Sequence, residues 1–168
     1  IEPMPHILIA VGGHVGRCVA LVADSLGWNY SVFDVRKEYS NTDKYPLSNE
    51  TISMKTNDFL ESEDHESIKR FSDILLLGHD WSVDQELLLG FLKLRKDGRR
   101  PRIGAIGSKS KWKSFKKAAM DDGVREEWFK NARCPIGIDI GAETPEEIGL
   151  AVCAEILALE RKITHTEN

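Results

Sequence analysis

The sequence predicts an α/β domain built on one parallel sheet with helices on both faces. Three observations predict it. Short, wholly apolar runs recur along the chain, as central parallel strands require. Helical patterns separate these runs, each with its own start and stop residues. The first run is followed by a glycine-rich turn that opens a helix, Gly12-Gly13-His14-Val15-Gly16.

Each element has its own signal. Residues 7–11 are continuously apolar and read as a buried strand. Val15, Val19, Val22 and Leu26 follow helical spacing, and Gly27 is a helix stop. Residues 30–34 are the second strand. From there to residue 72 the chain is polar and weakly patterned. A short strand near 52–55 and a helix near 65–71 are expected there. Residues 73–78 (DILLLG) form the next buried strand. Ser82-Val83-Asp84-Gln85 reads as a capping box, opening a helix that runs to about Asp97 and stops at Gly98. Residues 102–107 (RIGAIG) are a strand, and 109–122 a basic helix stopped by Gly123. A short helix is expected over 126–131, then a glycine-rich loop over 134–143. Thr144-Pro145-Glu146-Glu147 opens the last helix with a Thr cap, a first-turn Pro and a Glu three residues on. Ile148, Val152, Ile156 and Leu159 share one face of it, which packs on the sheet. No repeat or linker divides the chain. A single Rossmann-like domain over 1–168, with its core at about 6–160, is expected.

Bulk properties narrow the class. With 168 residues, 41% hydrophobic and 30% charged, the chain suits one globular domain with one core. A net charge of −4 gives no reason to expect nucleic acid or an anionic membrane as partner. No apolar run approaches bilayer-spanning length, and no basic-then-apolar leader opens the chain. It begins at Ile1 rather than Met, so a trimmed or processed end is expected. Cys18, Cys134 and Cys153 lack C-x-x-C spacing, which argues against a disulfide framework and a zinc knuckle. Reduced thiols in a cytoplasmic protein are the expectation.

Parallel sheets bind ligands beyond the C-terminal ends of their strands. Those ends are Val11, Asp34, Gly78 and Gly107, and their loops are expected to converge on one crevice. Gly13 would let the backbone approach a pyrophosphate, and Gly16 would let the helix pack closely on its strand. The helix N-terminus then offers free amides to phosphate. Asp34 lies 18 residues beyond Gly16, where a carboxylate would accept hydrogen bonds from an adenosine ribose. Arg36 could instead face a 2′-phosphate, so NAD and NADP both stay open. The pattern G-x-G-x-x-G would place glycine at position 11, where this chain has Val11, with Gly12 beside it.

Three further groups could carry chemistry. Gly78-His79-Asp80, with Asp84 four residues on, suits ligand binding or proton transfer. Equally, Asp80 or Ser82 caps the helix and His79 bonds locally. No second histidine lies nearby, and no metal ligands are assigned. Gly107, Ser108 and Lys111 read as an anion site, because lysines at a helix start oppose its dipole and need a reason. Residues 134–148, with Pro135, Gly137, Asp139 and Gly141, read as a tightly shaped loop running into a helix.

Together these segments resemble a known family. GHVGR (13–17), FDVRKEY (33–39), HDWSVDQELL (79–88), IGAIGSKSK (103–111) and PIGIDIGAETPEEIGLAVCAEILA (135–158) are similar to the C-terminal Rossmann domain of the XdhC/CoxI family. Those are accessory proteins of xanthine dehydrogenase and carbon monoxide dehydrogenase. The resemblance spans about residues 6–160, and the 135–148 stretch is its most specific part. It implies a role in maturing molybdenum hydroxylases: binding the molybdenum cofactor (molybdopterin), promoting its sulfuration with a cysteine desulfurase, and delivering it to the apo-enzyme. A homodimer is a further expected association. Carried over, Gly13, His14, Val15, Gly16, Asp34, His79, Asp84, Gly107, Ser108, Lys111, Pro135, Gly137, Asp139 and Gly141 match positions the family keeps at its crevice. Gly12, Arg36 and Asp80 complete the cofactor-binding set. The family pattern has Gly-Ala-Gly where this chain has Val11-Gly12-Gly13. Many members carry a separate N-terminal domain, so a stand-alone member or a fragment is expected here. Two other readings stand beside this one. One is an NAD(P)-dependent oxidoreductase or nucleotide sensor. The other is a partner-binding module with a vestigial site. Whether the chain is itself an enzyme stays open.

Overall fold

The structure is a computed structural model that describes residues 4–11 and 13–162. The apolar runs form six strands: β1 (His6–Ala10), β2 (Asn29–Phe33), β3 (Glu50–Ile52), β4 (Asp73–Leu76), β5 (Arg102–Ala105) and β6 (Ala132–Arg133). They make one sheet in the order β3-β2-β1-β4-β5-β6, with every pairing parallel. Five helices cover it: α1 (His14–Leu26), α2 (Thr56–Ser62), α3 (Trp81–Arg95), α4 (Lys109–Asp121) and α5 (Pro145–Glu160). The Rossmann-like parallel sheet is as predicted from the sequence, and its strand order is the doubly wound one. The chain steps outward from β1 through β2 to β3, then returns to the other side of β1 as β4. That reversal opens a crevice above the β1–β4 boundary.

Both faces of β1 are buried because its side chains alternate between two cores. Leu8 and Ala10 join Phe59, Leu87, Leu88, Phe91 and Phe115 on one face. Ile7 and Ile9 join Val19, Ala20, Val152, Cys153 and Ile156 on the other. The continuous apolar run in the sequence is this two-sided burial. Two glycines set the close approaches on the second face. A Cβ at Gly16 would lie 2.7 Å from the Val11 carbonyl oxygen, and one at Gly149 would lie 3.0 Å from the Cys18 backbone. Gly16 thus seats α1 on β1, as its spacing predicted, and Gly149 seats α5 on α1.

Several boundaries differ from the sequence reading, each for a local reason. The Ser82–Gln85 capping box is not formed. Asp80 is the N-cap of α3, and its carboxylate accepts from the Ser82 amide and hydroxyl. Helix α3 ends at Arg95 rather than Asp97, with Lys96 at φ 56°. Strand β3 begins ahead of the expected 52–55, where its pairing with Ser31 to Phe33 of β2 places it. The helix expected at 65–71 is a single 3-10 turn over Ser67–Arg70, and the one expected at 126–131 is another over Glu126–Phe129. Helix α2 and strand β6 had no strong pattern and were not predicted. The Thr144 start is as predicted, with both arms of its capping box present. No helix of the described residues is long and apolar enough to cross a membrane.

The far edge is held by polar groups facing inward. Arg95 is 1% exposed and donates to the carbonyls of Pro101, Trp128, Lys130 and Asn131, tying α3 to the segments around β5 and β6. Arg102 forms a paired contact with Asp73 at 2.9 Å and reaches Glu160 at 2.8 Å.

Candidate functional site

A cavity of about 350 Å³ lies at the switch point. It is lined by Val11, Gly13, His14 and Val15 after β1, Asp34, Val35 and Arg36 after β2, and Leu77, Gly78, His79, Asp80 and Val83 around the start of α3. Three of the four expected strand ends therefore meet there. Gly107, at the fourth, is not among the lining residues. The volume is within the range of small-molecule sites. Gly12 lies outside the described residues.

Gly13 is the informative position. It is the N-cap of α1, at φ −74° and ψ −160°, a conformation open to any residue. Among the described residues, a Cβ there would meet nothing within 4 Å. Neither backbone strain nor crowding within the fold requires glycine. What glycine does is keep open the space in front of the helix. Among the described residues no side chain caps α1, and its first turn holds no acidic residue. Gly13, His14 and Val15 line the cavity, so the start of α1, with its free amides and positive dipole end, lies beside it, which suits an anion.

Asp34 is 1% exposed and lines the cavity. The Arg36 guanidinium donates to both its oxygens at 3.0 Å, and the Arg36 amide donates at 2.9 Å. This bonding raises the Arg36 pKa above its ordinary value. The guanidinium also stacks 3.9 Å from the Tyr39 ring centroid. The carboxylate expected to receive ribose hydroxyls is thus already engaged by the neighbouring arginine. A ribose would have to displace those bonds.

His79 is exposed on the cavity wall. Asp80 caps α3, the local reading of that segment, and its pKa is lowered by the Ser82 hydroxyl and amide. Asp84 does not face the cavity. It is fully buried, and its carboxylate pairs with the Lys111 ammonium at 3.2 Å. Burial pushes the Asp84 pKa up to about 6, with Lys111 acting in the opposite direction. Gly78 makes room for this pair. A Cβ there would lie 2.8 Å from Asp84 Oδ1, which accepts from the Gly78 amide at 3.3 Å.

The anion reading of Ser108 and Lys111 requires correction. Ser108 caps α4, its hydroxyl accepting from the Lys111 amide. The Lys111 side chain is 4% exposed, and besides Asp84 its ammonium donates to the Ile106 carbonyl at 2.8 Å. The lysine therefore faces inward, against the Phe115 and Trp81 rings, and offers no charge to a ligand at the helix start. Its compensating anion is Asp84.

Residues Pro135 to Gly141 form a strap, none of which lines the cavity. The Ile136 amide donates to Ala105 and the Ile138 amide to Ala151, so the strap ties β5 to α5. Gly137, at φ 97°, lies against Ala151 and donates its amide to Glu155, which also receives Arg133 at 2.8 Å. Asp139 and Gly141 are exposed. Cys134 sits half-buried near Gly107 and Ser108, and burial raises its thiol pKa.

Comparison with known proteins gives the family. The family model described as the XdhC Rossmann domain matches residues 7–156. The chain belongs to the XdhC Rossmann-domain family. Among relatives of this XdhC domain, the uncharacterised protein YqeB of Escherichia coli is 29% identical over 93% of the chain and 27% of its own length. A protein of Bacillus subtilis described as a probable xanthine dehydrogenase subunit is 24% identical over 97% of the chain and 45% of its own length. A solved structure described as a xanthine dehydrogenase of Bacillus halodurans superposes with a TM-score of 0.78 at 25% identity, covering 95% of the chain and 45% of that protein. The XdhC domain thus spans less than half the length of each of these relatives.

Proposed function

We propose that this XdhC domain is an accessory module for a molybdenum hydroxylase of the xanthine dehydrogenase kind. Its crevice holds the molybdenum cofactor, or a related phosphate-bearing ligand, for delivery to the apo-enzyme. Gly13 carries the reading. It is an unstrained glycine at an uncapped helix start, its missing side chain leaving space in a cavity of about 350 Å³. A phosphate seated there would receive the first-turn amides of α1. Family membership and the xanthine dehydrogenase names of two relatives support the partner class. A cysteine desulfurase as second partner and a homodimer belong to the same proposal.

The test is retention of ligand. Native mass spectrometry of the purified chain, with fluorescence of the oxidised pterin, is expected to reveal bound cofactor in the wild type. Gly13→Leu is expected to fold and to lose it. A protein that carries no pterin and ignores added cofactor in titration would overturn the proposal. NAD(P) binding in calorimetry would favour the oxidoreductase or sensor reading instead. The Asp34–Arg36 pair ranks that reading second, because the ribose-reading carboxylate is already engaged.

A further inference from the structure

We propose that His14, Cys18 and Glu146 bind a divalent transition-metal ion of the zinc class at the rim of the crevice. Their ligand atoms lie within 4.8 Å of one another. His14 and Cys18 stand four residues apart on α1 and so share one face of the helix. Glu146 comes from the first turn of α5, which Gly149 holds against the backbone of Cys18. The site thus depends on the α1–α5 contact and joins residues far apart in the chain.

The donor set selects the metal. Imidazole, thiolate and carboxylate suit zinc and its neighbours, whereas magnesium and calcium take oxygen ligands alone. Tetrahedral bonds of about 2.0–2.3 Å place ligand atoms roughly 3.3–3.8 Å apart. His14 Nε2 and Glu146 Oε2 already stand at 3.5 Å. Both side chains are 68% exposed and free to turn, so the remaining contraction falls on mobile groups. Cys18 is 6% exposed and fixed by packing, which makes it the anchor. Thiolate and carboxylate together neutralise the ion's double charge, offsetting the unfavourable field of the two helix N-termini nearby. Three protein ligands leave a coordination position open, the arrangement of reactive rather than purely structural zinc sites. His14 also lines the crevice, so a donor atom of a crevice ligand could fill that position. The proposal does not depend on the identity of that ligand.

Cobalt(II) titration of the 168-residue chain tests it. The expected result is one equivalent bound, with intense tetrahedral visible bands and a sulfur-to-cobalt charge-transfer band, both removed by added zinc. His14→Ala and Glu146→Gln change exposed side chains and are each expected to weaken binding by roughly tenfold or more. Cys18→Ser is expected to abolish the charge-transfer band, and Cys134→Ser to leave it intact. Absence of a thiolate band in the wild type overturns the proposal. So does a band that follows Cys134 instead of Cys18, or an affinity indifferent to both exposed substitutions.

Discussion

The starts of α1 and α4 look alike in sequence and do opposite things. Each follows a central strand and a glycine, and each precedes an amphipathic helix. At α1 the N-cap is Gly13, and among the described residues no side chain caps the helix or stands within 4 Å of where a Cβ would be. At α4 the N-cap is Ser108, whose hydroxyl takes a first-turn amide, and Lys111 folds inward onto Asp84. The protein has closed the second start and left the first open. A glycine and a hydroxyl before a helix therefore do not by themselves mark an anion site. What marks one is a helix start whose amides the chain leaves to a ligand.

The largest expected effect lies at the closed start. Asp84→Asn leaves the buried Lys111 ammonium without its counter-charge and is expected to destabilise the fold by about 3–5 kcal/mol. Adding Lys111→Met is expected to recover most of that loss, since both charges then leave the interior. Urea denaturation reads both variants. If Asp84→Asn changes stability by less than about 1 kcal/mol, Lys111 is not committed to Asp84, and the contrast with α1 collapses.

The next effect sharpens the comparison from the other side of α1. Gly149→Ala pushes a methyl against the Cys18 backbone, which cannot turn away as a side chain could. A loss of about 1–3 kcal/mol is expected, even though alanine is the better helix former. A variant as stable as wild type would mean that α5 has room to move. The register that brings Glu146 to His14 would then be loose.

Much of this was legible in the sequence. The strands of the central sheet, the Gly16 packing contact and the Thr144 capping box follow from periodicity and local hydrogen-bonding chemistry. Helix α2 and the edge strand β6 were not, and β3 was legible only to within a few residues, because short, half-exposed elements need no strong apolar pattern. The inward turn of Lys111 has a signal in the sequence. It stands four residues before Phe115 and eight before Ala119, on the buried face of α4. Asp84 likewise precedes Leu87 and Leu88 on the buried face of α3. Two opposite charges on apolar faces of neighbouring helices are a signal of pairing. The strap from Pro135 to Gly141 was legible as unusual but not as a tie to α5, since its partners Ala105 and Ala151 carry no mark of it. The meeting of His14, Cys18 and Glu146 depends on helix packing alone, which spacing along the chain does not encode.

The smallest stability effects test the contrast between capped and open starts directly. Thr144→Ala removes a formed cap and is expected to destabilise by about 1 kcal/mol. Gly13→Ser is the opposite change, since it supplies a capping hydroxyl where none exists. Its effect on stability is expected to stay within a few tenths of a kcal/mol, because Ser and Gly are close in rank at that position. Its hydroxyl would nevertheless occupy the space before α1 and compete for the amides that a phosphate would use. Ligand retention is therefore expected to fall while the melting temperature holds. If Gly13→Ser retains ligand as wild type does, the open start of α1 is not where the ligand is held, and the two helix starts differ in appearance only.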